Sequence, residues 1–205
     1  MNQTKPMKAS AKIFGKASNT GAVIRSLLEP VIPNAKDGTM HRRFQTCLQD
    51  WLLTKSFNNS LPQNDIPFVT GFQFNTESDL RGRCKIGMQV NKAVTGLIML
   101  SIPSFVPVDK IVAPAYTRSL QLNIAAAGYN FQTKTIIGRY SSVIDINYND
   151  DTFLPAELQT GLSTGAGNLI IVVAGITYNA MRNGNLVAIN DMRWMPAGVI
   201  SAFYN

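Results

Sequence analysis

The spacing of the apolar residues changes once along this chain, near residue 66, and that change limits the fold more than any other feature. Before it, over residues 18–55, apolar side chains recur every three or four residues, which is typical of an amphipathic helix. After Pro67 they recur at every second residue, which is typical of a β-strand. The sequence therefore predicts helices first and a β-rich region second.

A first helix is predicted to begin at Ser18 or Asn19, either of which can act as an N-cap. Pro30 and Pro33 are expected to end it, because proline cannot continue a helix. Its apolar stripe consists of Val23, Ile24, Leu27, Leu28 and Val31.

A second helix is predicted to begin near Asp37 or Thr39. We expect the two helices to pack on each other, or together on a sheet, as a helical hairpin over residues 18–55. The apolar stripe of the second helix consists of Met40, Phe44, Cys47, Leu48, Trp51 and Leu52.

The segments around the hairpin lack a helical period. Residues 1–17 contain Pro6, Gly15 and scattered lysines, and are interpreted as a basic extended arm. Residues 56–66 are rich in Asn, Ser and Pro and are interpreted as a linker. Residues 67–205 are assigned to the β-rich domain.

Alternating apolar residues predict short strands through that domain. An almost continuous apolar run at 169–176 predicts a central strand that is buried on both faces. Asn183 and Gly184 predict a type I′ turn into a strand at 186–189, and residues 161–167 are interpreted as a flexible loop. Further strands are predicted around Phe68–Thr70–Phe72–Phe74, Cys84–Ile86–Met88–Val90, Leu97–Ile102, Leu120–Leu122–Ile124, Tyr140–Ile144–Ile146–Tyr148 and 198–204.

Eight or nine strands without helices between them favour an antiparallel arrangement. The predicted fold is mainly β with N-terminal helices. It is an antiparallel β-sandwich, Ig-like or jelly-roll-like, preceded by the helical hairpin and the basic arm.

Positive charge is concentrated at the start of the chain. The whole chain carries a net charge of +7, and residues 1–55 hold nine basic and three acidic side chains, a net +6. Such a segment attracts phosphate or an acidic protein face, and its alternative role is a solvated arm that aids solubility. The candidate phosphate or partner contacts are Lys5, Lys8, Lys12, Lys16, Arg42 and Arg43.

The chain is otherwise poor in charge. Only 15% of its residues are charged, against about 25% in an ordinary soluble domain. Eighteen asparagines fill part of the difference. Removing water from a neutral polar surface costs less free energy than removing it from a charged one, which favours burial of this surface against other subunits. The alternative is that the protein comes from surroundings in which a neutral polar surface is simply tolerated.

Catalytic motifs are not apparent. His41 is the one histidine, and its position on the second helix predicts that it faces away from Cys47 on the same helix. Cys84 could approach it only through tertiary packing. We find no phosphate-binding glycine motif and no nucleophile elbow, and therefore expect no enzymatic activity, no cofactor and no metal.

An acidic stretch at 145–151 resembles the beginning of a calcium loop. Asp150 stands where such a loop needs glycine, and Glu157 falls one residue late for the last ligand. The alternative interpretation is the outer face of a strand, at Asp145 and Asn147, followed by a turn.

Four segments carry a resemblance to a known family. They are residues 33–43 (PNAKDGTMHRR), 66–74 (IPFVTGFQF), 101–107 (SIPSFVP) and 195–199 (MPAGV). Together they resemble an uncharacterised family of proteins encoded in Bacteroidetes genomes, and the likeness spans most of the chain in that order. The resemblance implies a bacterial protein with helices before a β-rich region, and it implies no activity or site residue.

These observations predict a non-enzymatic structural or assembly protein that forms a homo-oligomer or larger assembly, or docks on a macromolecular partner. The alternative is a nucleic-acid-binding or packaging protein that uses the basic segment. A third hypothesis, a carbohydrate- or ligand-binding sandwich, depends on Trp51, Trp194 and the tyrosines. No membrane span or signal peptide is visible, so we expect a cytoplasmic protein or part of an assembly released from the cell.

Overall fold

A computed structural model describes residues 5–32, 36–57 and 66–205 of the chain. The two long helices precede the strands, as predicted, and shorter helical turns lie before and between the strands. The helices are α1 Lys5–Leu27, α2 Met40–Phe57, α3 Leu80–Arg83 and α4 Pro107–Lys110, with a 3₁₀ turn at Met192–Trp194. The strands are β1 Gln89–Lys92, β2 Leu97–Ile102, β3 Thr117–Asn130, β4 Thr135–Asn147, β5 Ala156–Ser163, β6 Asn168–Arg182, β7 Asn185–Ala188 and β8 Ala197–Tyr204.

The strands form two antiparallel sheets. The larger sheet has five strands in the order β4-β3-β6-β7, with β8 also paired to β6. The smaller sheet has the order β1-β2-β5. The sheets pack closely, since a Cβ built at Gly138 of β4 would lie 3.0 Å from the Cδ2 of Leu162 of β5. The predicted sandwich-like fold of antiparallel sheets after N-terminal helices is confirmed.

Strand β6 is the centre of the molecule and is buried on both faces, as predicted. Ile171 and Val173 belong to the core between the larger sheet and the helices. Ile170 and Val172 belong to a core between the two sheets. The fold therefore has three layers, in which the larger sheet lies between the helices and the smaller sheet.

The helical hairpin covers part of the larger sheet. Ile24 of α1 and Phe44 of α2 are fully buried in the same core as Ala125 and Ala127 of β3. The small alanine side chains allow the helices to approach the sheet. The predicted stripe of α2 is confirmed, because Met40, Phe44, Leu48, Trp51 and Leu52 are all buried and Cys47 packs beside them.

The predicted extended arm is wrong for residues 5–17, which form the beginning of α1. The apolar stripe continues further towards the N-terminus than expected, since Ala17 is buried and Ile13 is partly buried in the helix–sheet core. Pro6 lies in the first turn, where its missing N–H has no helical partner to lose. Gly15 is accommodated within the helix. Residues 1–4 lie outside the described residues.

The predicted strand around Phe68–Phe74 is also wrong. Residues 67–71 form turns, in which the amide groups of Val69 and Thr70 both donate to the carbonyl of Ile66. Phe72 and Phe74 pack instead against Phe44 of α2, with ring centroids 5.1 and 5.9 Å away. Of the predicted linker at 56–66, residues 58–65 lie outside the described residues, and 56–57 belong to α2.

Two further differences concern strand positions. The predicted strand at 84–90 is shorter, because Cys84 makes only an isolated bridge to Ile111 and β1 begins at Gln89. Strand β5 was not predicted, and it takes in the beginning of the stretch interpreted as a loop. The type I′ turn is confirmed, because both Asn183 and Gly184 have positive φ, at 49° and 79°.

Replacing Ile171 by alanine tests the central position of β6. We expect I171A to lower the free energy of unfolding by about 2–5 kcal/mol, because it leaves a cavity in the helix–sheet core. Val94→Ala is the control, since Val94 is fully exposed and its loss should change stability by less than about 0.5 kcal/mol. Urea unfolding followed by circular dichroism measures both, and equal effects would contradict the assignment.

Candidate interaction surfaces

The half of the larger sheet that the helices leave uncovered carries mostly neutral polar side chains. Strand register places Gln121 beside Asp145 on one side and Thr177 on the other, so these three residues share a face. We call this surface the amide face. It comprises Ser119, Gln121, Asn123, Val143, Asp145, Asn147, Thr177 and Asn179, which are all half-buried or exposed.

Hydrogen bonds between neighbouring strands hold the amide groups of this face. Each bond joins side chains that already lie side by side in the sheet, so the polar groups are oriented before any partner arrives. The bonds run from Gln121 Nε2 to Asp145 Oδ1 (3.0 Å), from Asn123 Nδ2 to Thr177 Oγ1 (3.1 Å) and from Asn179 Nδ2 to Ser119 Oγ (3.4 Å). Asp145 is the one charged member of the amide face.

Strand β4 borders the amide face and is an edge strand. It has 13 residues, against a usual strand length of about five or six. Among the described residues it pairs with β3 alone, so its other edge presents backbone N–H and C=O groups without a strand partner. Ile136 and Val143 on this strand are each 55% exposed. A long edge with exposed apolar side chains is suited to pairing with another strand.

The predicted basic contacts lie on the two long helices. Lys12 and Lys16 lie one turn apart on α1 and are exposed, and Arg42 is exposed on α2. The ammonium group of Lys16 lies 4.5 Å from the ring centre of Phe131. Nothing is described for the side chains of Lys5 and Lys8.

Arg43 is bound within the protein. Its guanidinium forms an ion pair with Asp37 and donates to the carbonyl of Gln73 at 2.8 Å. It also lies over the ring of Phe72, 5.0 Å from the ring centre. These contacts join α2 to the segment beside β8, so Arg43 has a structural role.

Asp37 is the acceptor that completes this junction. Its carboxylate accepts hydrogen bonds from Thr39, Arg43 and Thr76, and its side chain is 12% exposed. Burial by itself raises the pKa of Asp37, but the hydrogen bonds from Thr39, Arg43 and Thr76 outweigh burial and hold the pKa well below its ordinary value. The carboxylate is therefore charged at every physiological pH.

A cationic cleft lies where the two helices meet, and sequence reasoning missed it. Arg25, Lys36 and His41 line this cleft of about 280 Å³, beside Glu29. Burial, followed by the charges of Arg25 and Lys36, lowers the pKa of His41. The ion pairs of the described ranges are Asp37–Arg43 and Asp191–Arg193, so the two cations of the cleft, Arg25 and Lys36, have no ion-pair partner there.

The histidine and the cysteines do not assemble a nucleophilic site. His41 is exposed on the cleft, whereas Cys47 on the same helix packs at the helix–sheet core and donates its thiol to the carbonyl of Phe68. Burial, with a smaller contribution from Asp50, raises the pKa of Cys47 to about 12. Burial also raises the pKa of Cys84. Both thiols are therefore poor nucleophiles at neutral pH.

The acidic stretch follows the strand-and-turn interpretation. Asp145 is on the exposed face of β4, and a turn follows in which Asn149 Nδ2 donates to Asp151 Oδ2 at 2.6 Å. Within the described ranges, no three His, Cys, Asp or Glu side chains are grouped so as to hold a metal ion.

The two tryptophans do not form an exposed stacking platform. Trp51 is buried in the helix–sheet core. The guanidinium of Arg83 lies 3.8 Å from the ring centre of Trp194, and Tyr178 makes an edge contact with the same ring. The ligand-binding hypothesis therefore loses the two tryptophans as an open aromatic surface, and Tyr116, which is 81% exposed, is the exposed tyrosine that remains to it in the described ranges.

Comparison with known proteins gives this chain no family. No family model and no curated protein matches this chain, so the resemblance to a Bacteroidetes family stays a prediction. Among the described helices, none combines the length and the hydropathy that a membrane crossing requires.

Removing the Asp37 carboxylate tests the junction between α2 and the segment beside β8. We expect Asp37→Asn to lower the free energy of unfolding at pH 7 by about 2 kcal/mol, because charged hydrogen bonds are lost. The folded-state pKa lies below the unfolded one, so this stabilisation is present above about pH 4 and is lost as the pH falls further. Urea unfolding between pH 7 and pH 3 should show the two proteins converging.

The matched control is Asp150→Asn, which removes an exposed carboxylate from a turn. It should leave stability nearly unchanged across the same pH range. A gap between Asp37→Asn and the unsubstituted protein that stays constant down to pH 3 would contradict the role given to the carboxylate.

Proposed function

We propose that this chain is a non-enzymatic structural or assembly protein that associates with further copies of itself, or docks on a macromolecular partner, through the amide face and the adjoining edge of β4. The observation that carries the proposal is the amide face, which is an ordered sheet surface with one charged side chain. Its expected compartment is the cytoplasm or an assembly released from the cell.

The energetics of desolvation support this role. Interface centres are depleted of charged residues, because removing a charge from water costs several kcal/mol unless it is paired. The amides of Asn123 and Asn179 already donate to side chains of the same face. Such groups keep hydrogen bonds when a partner excludes water, so covering them is less costly.

The edge of β4 determines how a partner strand is oriented. Backbone groups at a sheet edge bond only to a strand that runs along it, which fixes the orientation of the partner. An extended arm has no part in the proposed association, because residues 5–17 are helical. Association is assigned to the sheet instead.

Placing a positive charge on the amide face tests this function. We expect the unsubstituted protein to associate as its concentration rises. Thr177→Lys should weaken the association that covers the amide face at least about tenfold, because the new ammonium group would have to be desolvated. Sedimentation velocity and light scattering across a concentration series measure it.

Thr95→Lys is the matched control, since Thr95 is exposed in the turn between β1 and β2 of the smaller sheet. It adds the same charge and should leave association unchanged. Thermal unfolding verifies that both variants remain folded. A protein that stays monomeric at the highest attainable concentration would refute self-association.

The cationic cleft supports a second function, the predicted binding of nucleic acid. Arg25 and Lys36 are unpaired in the described ranges, and Lys12, Lys16 and Arg42 add exposed charge on the helices. Phosphate would satisfy the charges of Arg25 and Lys36.

This second function predicts duplex DNA binding whose logarithmic affinity falls linearly with the logarithm of salt concentration. The double variant Arg25→Gln/Lys36→Gln should reduce that slope by about two, whereas Lys92→Gln on β1 should leave it unchanged. Fluorescence anisotropy with labelled DNA measures the slope. Binding that is weak even at low salt would eliminate this function.

A further inference from the structure

The sequence of the edge strand β4 is complementary to itself. When two copies of β4 run antiparallel about Ser142, each residue lies opposite the one equally far on the other side of Ser142. Arg139 then faces Asp145 of the second copy, and Asp145 faces Arg139. A twofold axis at Ser142 thus creates two pairs of opposite charge.

Both charges are available for such pairing. Arg139 and Asp145 are exposed and lie on the same face of β4, because they are six positions apart and side chains alternate between the faces of a strand. Neither belongs to an ion pair within the described ranges. Asp145 Oδ1 accepts a hydrogen bond from Gln121, which orients the carboxylate and leaves Oδ2 for a second partner.

The other face of the strand also matches in this register. Tyr140 lies opposite Ile144 of the second copy, and both residues already pack at the core between the two sheets. Aromatic side chains opposite β-branched ones are favourable cross-strand pairs. Ser142 lies opposite itself at the axis.

Neighbouring registers lack the charge match. A twofold axis at Ser141 places Arg139 opposite Val143, and an axis at Val143 places Arg139 opposite Asn147. A register slip therefore loses both opposite-charge pairs, and this makes the axis at Ser142 the preferred one.

We propose that two copies of this chain pair through the edges of β4, antiparallel about Ser142, and thereby join their five-stranded sheets into one continuous sheet. This inference rests on the proposed self-association and specifies its first step. The two amide faces then lie side by side and remain open for larger assembly.

Charge exchange tests the pairing. Arg139→Asp places two carboxylates opposite each other at both pairs, and Asp145→Arg places two guanidinium groups there. Each variant should weaken dimerisation about tenfold, since directly opposed like charges are destabilising. The double variant Arg139→Asp/Asp145→Arg restores opposite charges and should return affinity to that of the unsubstituted protein, as measured by sedimentation equilibrium.

Cysteine cross-linking tests the register directly. Ser142→Cys places two thiols opposite each other at the axis, where Cα atoms about 4.5–5.5 Å apart permit a disulfide. Ser141→Cys is the control, because its two copies are offset by two positions along the strands. Their Cα atoms are then further apart than the roughly 7 Å that a disulfide can span. With an added mild oxidant, only Ser142→Cys should give a covalent dimer on a non-reducing gel.

The outcomes separate this inference from the proposed function. Failure of Ser142→Cys to cross-link, or failure of the double variant to recover affinity, in a protein that still dimerises would overturn the β4 register and leave self-association standing. A monomeric unsubstituted protein would overturn both. Cross-linking specific to Ser142→Cys together with recovery in the double variant supports the inference.

Discussion

The structure depends on the burial of β6 between two apolar cores. Odd-numbered side chains such as Ile171 face the helices, and even-numbered ones such as Val172 face the smaller sheet. Each core therefore contributes hydrophobic stabilisation to the same backbone. Neither outer layer can separate without exposing one side of this strand to water, which makes three layers behave as one structural unit.

Much of this arrangement was readable from local sequence. The helix α2, the strand at Leu97–Ile102, the doubly buried β6 and the turn at Asn183–Gly184 each follow from a period or a turn signal within the segment itself. The start of α1 was missed because Pro6 and Gly15 were interpreted as helix breakers. The burial of Ile13 and Ala17 against the sheet stabilises this part of the helix, and that packing cannot be predicted from the local sequence.

The interaction surfaces were less readable, because they depend on which residues the fold brings together. The scarcity of charge and the abundance of asparagine were evident, but the amide face needs the register of β3 with β4 and β6. Lys36 and His41 are near each other in sequence, whereas Arg25 joins them only through the packing of α1 against α2. The structural role of Arg43 could not be predicted either, because its guanidinium also donates hydrogen bonds to the carbonyls of residues 73 and 74, about 30 positions away in the sequence.

The junction of α2 with the segment after Ile66 affects how the chain folds during its synthesis. Gln73 bridges to Gly198 of β8, and Asn75 donates to the carbonyl of Met195, 120 residues further along. The helix–sheet core likewise needs Val199 and Ala202 of β8. During vectorial synthesis on the ribosome, the helices therefore emerge long before the surface on which they dock. Part of their apolar surface stays uncovered until β8 has been synthesised, and contacts between residues so far apart in sequence slow folding.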